Sequence, residues 1–312
     1  MEYGKKAHRR RAAWRSGANL QLLMLCLPAI VAFLLFHYVP LVFGVAMPFK
    51  DYKLAKGIWG SQWCGLKNFT WIFKSAELGR VVRNSLLYGL WFLFIGPVVN
   101  IAIALLLFDL RSTRALKLYQ TVMCFPNFMS MVVVGFITYA LLSPRFGVLT
   151  RLLASLGYSN VNVYTTPAAW PPILTIVNVW KGVGMGSMLY YAALVGIDPE
   201  LFEAATIDGA SHLQKTRYIS VPLVMSIFCI QLILGIHSIL GGSFDLFYLI
   251  PRNQGVLYST TDVVTTFVTR ALFDGDYLRG TSVTLIQSVI GLILIVICNG
   301  VVRRISPENA MF

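Results

Sequence analysis

Few residues in this 312-residue chain have reactive chemistry to offer. Ser187, in the run GVGMGSM, and His237 would supply a nucleophile and a base if the fold brought them together, which is the pairing of an intramembrane serine hydrolase. Asp274, Gly275 and Asp276 form a fragment of a calcium loop, but the remaining ligands and the closing glutamate are missing. Lys181 is a single charge within an otherwise apolar run. Four acids, Asp198, Glu200, Glu203 and Asp208, gather in the polar stretch GIDPELFEAATIDGASHLQKTRYISVPL, residues 196–223. The sequence has no GxxxxGK[ST] loop to cradle a nucleotide phosphate, so if ATP is used it binds another polypeptide.

The elements that must position these groups are membrane helices. Hydrophobic residues make up 57% of the chain and charged ones 12%, against about 45–50% and 25% in soluble domains. Six stretches reach the roughly 20 apolar residues a crossing needs: 20–48, 85–108, 118–142, 172–195, 219–240 and 281–302. This predicts an all-α protein of six transmembrane helices with both ends on one side. The division is a basic N-terminus (1–19), a six-span domain (20–305) and a short tail (306–312).

The net charge of +13 begins with KKAHRRRAAWR, Lys5 to Arg15, directly before the first apolar run. That placement reads as a cytoplasmic flank orienting an uncleaved first span, and not as a nucleic-acid patch. The Lys/Arg tally is nearly even, about 13 inside and 12 outside. Orientation therefore rests on basic residues beside span ends, namely Arg111, Arg114, Lys117, Arg303 and Arg304. Five scattered cysteines read as small hydrophobes. The outer loop 50–84, rich in Trp, Phe and Gly, reads as an interfacial belt with a short surface helix near 66–73, or as an irregular loop held by Trp anchors.

Between the fourth and fifth spans the polar stretch reads as helix, turn, helix. Asp198 caps a helix beginning at Pro199, with Glu200 and Glu203 near its positive end. Gly209 provides a left-handed stop after Asp208, and Ser211 with Gln214 makes a capping box that opens a second short helix. Neither helix is long enough to be stable alone, so Leu201, Phe202 and Ile207 should dock onto the bundle or a partner.

The motif EAATIDGAS with IxxP after it, carried by Glu203, Ala204, Ala205, Asp208, Gly209, Ala210, Ile219 and Pro222, resembles the cytoplasmic loop of permease subunits of binding-protein-dependent ABC importers of the type I architecture. Thr216 stands where that family often has an aromatic residue, and Val221 where leucine is common before the proline. The runs PFKDYKLAKGIWGSQWCGLKNF, RNSLLYGL, FPNFMSMVVVGFITYALLSPRFGVL and WPPILTIVNVWKGVG are similar to the permease subfamily that imports oligo- or polysaccharides. The resemblance implies that loop 197–221 holds a coupling helix docking on an ATPase dimer, which binds the ATP and magnesium while this chain binds no cofactor. It further implies a second six-span permease, an extracytoplasmic solute-binding protein and a saccharide cargo moved by alternating access across the bacterial inner membrane.

In such permeases the translocation path lies between the two subunits. The candidates here are Asn178, Trp180, Lys181, Tyr190 and Tyr191 in the fourth span, and Gln231, His237 and Ser238 in the fifth. Lys181 at the helix centre costs roughly 2.5–3.5 kcal/mol on insertion scales, so it should face a cavity, a partner or a carboxylate, unless it snorkels or pairs structurally at a helix kink beside Gly182, Gly184 and Gly186. Gly182 and Gly186 read as a close-packing pair. The basic balance suits either an anionic, uronate-containing cargo or anchoring to anionic lipid. Two other classes compete. An ion-coupled secondary transporter would show inverted repeats, which the sequence lacks, and a rhomboid-like protease would need a GxSG setting for Ser187 that is also missing.

Overall fold

The computed structural model describes residues 17–157, 162–236 and 239–305. The basic flank, the tail 306–312 and the candidates His237 and Ser238 lie outside the described residues. The chain forms two compact units, Met1–Thr70 and Trp71–Phe312.

In the first unit a rod begins at Gly17, and its apolar part, α1 (Gln21–Phe49), is long enough to cross a bilayer, with a π turn at Leu34–Tyr38. A small hairpin follows, β1 (Lys50–Asp51) antiparallel to β2 (Gln62–Trp63), with Lys50 opposite Trp63. Lys50 is buried, donating to the Ile58 carbonyl at 2.9 Å with Trp59 and Trp63 rings 5.1 and 5.2 Å away. The surface helix expected near 66–73 is replaced by two single 3₁₀ turns, Lys67–Phe69 and Ile72–Lys74. The reason is a longer-range one: the Asn68 amide donates to the Pro48 and Lys50 carbonyls, which pins Lys67–Phe69 to the hairpin.

The second unit opens with α2 (Ala76–Phe108), capped by Ser75, whose hydroxyl accepts from the Leu78 amide. The expected third span is not one straight helix. It is a bent pair, α3 (Thr113–Phe128) and α4 (Met131–Leu142), meeting at 99°. Pro126 lies in the last turn of α3, Met129 turns extended, and Ser130 restarts the helix by accepting from the Val133 amide. A short α5 (Val148–Ser155) precedes α6 (Trp170–Val195). Then come α7 (Pro199–Ile207) and α8 (His212–Ile236), and beyond them α9 (Phe244–Leu249), α10 (Val264–Phe273) and α11 (Tyr277–Ile305).

Among the described residues four helices are long and apolar enough to cross, α1, α2, α8 and α11, or five if the bent pair counts as one. The fourth expected span, α6, has the length, 26 residues, but is not among those four.

Three buried clusters hold the second unit together. One joins α2, α4, α6 and α9 through Tyr88, Val134, Trp170, Leu174, Phe247 and Ile250. Trp170 is fully buried and donates its ring N–H to the Val163 carbonyl at 3.0 Å. A second cluster packs Leu78 and Val81 of α2 on Phe267 and Val283, and a third packs Ala104, Tyr190, Leu194 and Val224. The segment between α8 and α11 is tied to α2 by polar groups. Asn84 donates to the Ser259 and Asp262 carbonyls, and Ser85 accepts from the Val264 amide at 2.8 Å. Asp262, buried, takes two bonds from Arg270 at 2.8 and 2.7 Å. Burial would lower the Arg270 guanidinium, but Asp262, Tyr258 and Glu77 outweigh it and raise its pKa above the ordinary arginine value.

The glycine pair expected to pack, Gly182 with Gly186, is shifted by two residues on one side. Gly182 faces open space, whereas Gly184 lies against the backbone of Met123 and Cys124, and Gly186 lies against the Asn100 side chain. An α-helix advances 100° per residue, so Gly184 points where Gly182 does not. Gly184→Ala is expected to destabilise the folded protein by about 1–3 kcal/mol through overpacking, while Gly182→Ala leaves it unchanged or slightly better. Thermal unfolding of the two variants in detergent checks this.

Candidate functional site

Two features stand out, a cavity at the height of the spans and the polar connection from α6 to α8. The cavity has a volume of about 470 Å³. Its walls come from α2, α6, α8 and α9, and they are mostly apolar. Gly89 makes part of the wall possible, since any Cβ there would strike the Ile239 backbone. The polar exceptions are Ser85, Tyr88, Asn178, Gln231 and Ser243.

Their engagement differs. Ser85 and Ser243 are occupied by backbone amides, those of Val264 and Leu246. Gln231 accepts at Oε1 from the Tyr190 hydroxyl at 3.0 Å, which fixes its side chain and leaves its NH₂ for the cavity. Among the described residues the Tyr88 hydroxyl is buried without a partner, and the Asn178 amide makes no hydrogen bond within the chain. An apolar cavity with a few convergent, unspent polar groups is the usual form of a small-molecule site.

Of the path residues expected from sequence, Asn178 and Gln231 therefore line the cavity and Tyr190 stands behind Gln231. Tyr191 packs with the cluster around Ala104, and Trp180 is exposed on the surface of α6. Lys181 goes elsewhere: its ammonium donates to the carbonyls of Met129, Asn127 and Pro126 at 2.7, 2.9 and 3.4 Å. Those carbonyls belong to the end of α3, where a helix has orphan acceptors and the negative pole of its dipole. All three donors of the lysine are thereby spent on the break in the bent pair. Ser187 is fully buried and donates to the Gly184 carbonyl within its own helix. Sequence reasoning missed Ser85 and Tyr88, whose i, i+3 spacing in the run NSLLYG puts two polar groups on one face of the second span.

The connection folds as its local signals demand. Asp198 accepts from the Glu200 amide at 3.0 Å and Pro199 opens α7. Gly209 has φ +76°, the Ala210 amide donates to Ala205 and the Gly209 amide to Thr206, which is the double closure of a Schellman end. Ser211 and Gln214 form the capping box. The second helix is not a short separate one, however. It runs through a π turn at Thr216–Ser220 into the whole of α8. Phe202 packs on Phe108 at 5.9 Å between ring centres and His212 binds Asp109 at 2.9 Å, which fasten the loop to the end of α2. Leu201, Ile207 and Leu213 stay exposed, Ile207 at 86%.

Comparison with known proteins follows the same lines. No protein-family model matches the sequence. The chain is 31% identical over 308 residues to the polygalacturonan/rhamnogalacturonan transport system permease protein YteP of Bacillus subtilis, across 98% of this chain and 94% of that protein. It is 32% identical to the protein LplB of the same organism, across 92% and 90%. The structure superposes at a TM-score of 0.84, with 30% identity and 93% and 97% coverage, on a chain of a bacterial ABC transporter involved in the import of the acidic polysaccharide alginate. The chain belongs to the permease subunits of ABC importers. A second structure of the alginate transporter, bound to a periplasmic protein carrying alginate pentasaccharide, matches equally well. As an ABC importer permease this chain is a multi-pass, mostly helical inner-membrane protein and a transport component, and membership supports neither the secondary transporter nor the protease reading.

In this permease Lys181 serves the backbone of its neighbour. Lys181→Met strands acceptors at the break, at a cost of about 1–3 kcal/mol. The expected result is a lower unfolding temperature in detergent, largely recovered in Lys181→Arg, with little change in KM for uptake by the fraction that folds.

Proposed function

We propose that this permease is one half of the membrane path of an ATP-driven, binding-protein-dependent importer of oligo- or polysaccharides. The observation that carries the reading is the cavity, where Tyr88, Asn178 and Gln231 present unspent polar groups from three helices, one of which, α8, begins in the loop closed by Gly209. Saccharides need such a mixture of apolar wall and hydrogen-bonding groups. The relatives named above, one for polygalacturonan and rhamnogalacturonan and one for alginate, favour the same cargo class.

In this scheme the chain crosses six times, with α6 and the bent pair as crossings beside α1, α2, α8 and α11, and both termini are cytoplasmic. A second six-span permease completes the path, and lipid covers the remaining apolar surface. An extracytoplasmic solute-binding protein delivers the saccharide to the outer loops. ATP and magnesium bind a separate ATPase dimer. Its closure is passed through loop 197–221, with Glu203, Ala204, Ala205, Asp208, Gly209 and Ala210 forming the coupling surface and the exposed Ile207 and Leu201 covered by the ATPase. The path then opens outward, and hydrolysis resets it. His237 and Ser238, next to the cavity in sequence, belong to the same path, along with Tyr190 and Tyr191; Trp180 faces the second permease.

Gly209→Pro is the direct test of coupling, because proline is locked near φ −65° and this position has φ +76°. In the reconstituted complex the expected result is loss of ATPase stimulation by the binding protein with assembly intact, and surviving stimulation would make the loop a plain connector. For the cavity, Asn178→Ala and Gln231→Ala are each expected to raise KM for saccharide uptake about tenfold, the worth of roughly 1.4 kcal/mol, without altering basal ATPase activity.

A further inference from the structure

Away from the cavity already described, the turn after α9 holds two consecutive non-glycine residues in the left-handed region, Arg252 at φ 59° and Asn253 at φ 48°. Asparagine tolerates that region, but arginine does so rarely. The turn closes the end of α9, with the Arg252 amide donating to Leu249 and the Asn253 amide to Tyr248, at 3.3 and 3.0 Å. Glycine would close it with less strain. What the arginine adds is a guanidinium.

That guanidinium is placed and unspent. It lies 4.2 Å from the centre of the Tyr139 ring, and among the described residues no carboxylate reaches it and no hydrogen bond uses its donors. By contrast, Arg80 and Arg270 pair with Asp262, and Arg279 with Asp276. Asn253 is held by the Tyr258 hydroxyl, which donates to its Oδ1 at 2.8 Å. Arg252, Asn253, Tyr139, Tyr248 and Phe136 line a separate cavity of about 390 Å³. This is within the range of about 300–1,000 Å³ that small-molecule pockets occupy. Close by, burial pushes the Tyr164 phenol up to about 12, with the Arg252 charge offsetting part of that rise.

Aromatic rings beside a free guanidinium suit a sugar ring that carries an anion, since the ring stacks and the fork takes both oxygens of a carboxylate. We propose that Arg252, with Tyr139 and Asn253, forms an outer subsite that reads the carboxylate of a uronate-containing saccharide before it enters the membrane path. The proposal rests on the importer reading and deepens it from saccharide to acidic saccharide.

The test is uptake by the complete complex in vesicles of zwitterionic phosphatidylcholine, with two cargoes of equal length: oligogalacturonate and the same oligomer with its carboxylates reduced to alcohols. Arg252→Gly suits the position, because glycine prefers the left-handed backbone and keeps the turn. The expected result is a KM for oligogalacturonate raised about tenfold by Arg252→Gly, with uptake of the reduced oligomer unchanged and Arg252→Lys intermediate. Equal loss of both cargoes, no change in either, or an effect confined to vesicles containing anionic lipid would each overturn the proposal. If the wild-type complex moves the reduced oligomer but shows no preference for the acid, the importer reading stands and this one fails; if it moves neither, both fail.

Discussion

An apolar surround offers no water to a broken backbone, so each interruption of a helix must be closed by protein groups. That constraint orders the rest of this structure. The largest interruption is the 99° bend between Thr113–Phe128 and Met131–Leu142, and it is closed by a lysine from a helix more than fifty residues later in the chain. A charge that is costly among apolar helices is thus placed where a helix end already carries the opposite pole. The same accounting recurs beyond the end of the fifth span, where Asn84, Ser85 and Asp262 serve the turns between Ile236 and Tyr277.

These closures set where polar groups are left over. All five polar groups line the 470 Å³ cavity, but Ser85 and Ser243 accept from backbone amides, while Tyr88, Asn178 and one side of Gln231 are left for a ligand. The buried Tyr190 matters by proxy, as it orients Gln231 without reaching the cavity itself. Close approach of Gly89 to the Ile239 backbone shapes the cavity wall, and that of Gly184 to Met123 and Cys124 packs the fourth-span helix on Thr113–Phe128.

How much was legible in the sequence depended on the range of the interactions. The loop from Asp198 to Gln214 folds as expected in its caps and its glycine stop because each is decided by residues within five positions of one another. The bend was not legible, although Pro126 is in plain view, because what makes it tolerable is Lys181 on another helix. The continuity of the second loop helix into the span was also hidden, since a capping box marks where a helix starts and says nothing of where it stops. The surface helix near 66–73 failed for the complementary reason, as Asn68 spends its amide on the hairpin. For the cavity, a search limited to the fourth and fifth spans found Asn178 and Gln231 and passed over the second span, whose polar pair Ser85 and Tyr88 is separated by two leucines.

The π turn at Thr216–Ser220 joins the polar loop after Val195 to the cavity wall within one continuous helix. From His212 to Gln231 the chain is a single rod of about 28 Å at 1.5 Å per residue. A rod of hydrogen-bonded turns has almost no slack along its axis. A displacement of a few ångströms at its capped end therefore reaches Gln231 nearly undiminished, and the π turn, with its wider and softer winding, is the place where the rod can rotate about itself as it moves. Such an arrangement behaves as a crank rather than a hinge, with throw set at Ser211 and phase set by the turn.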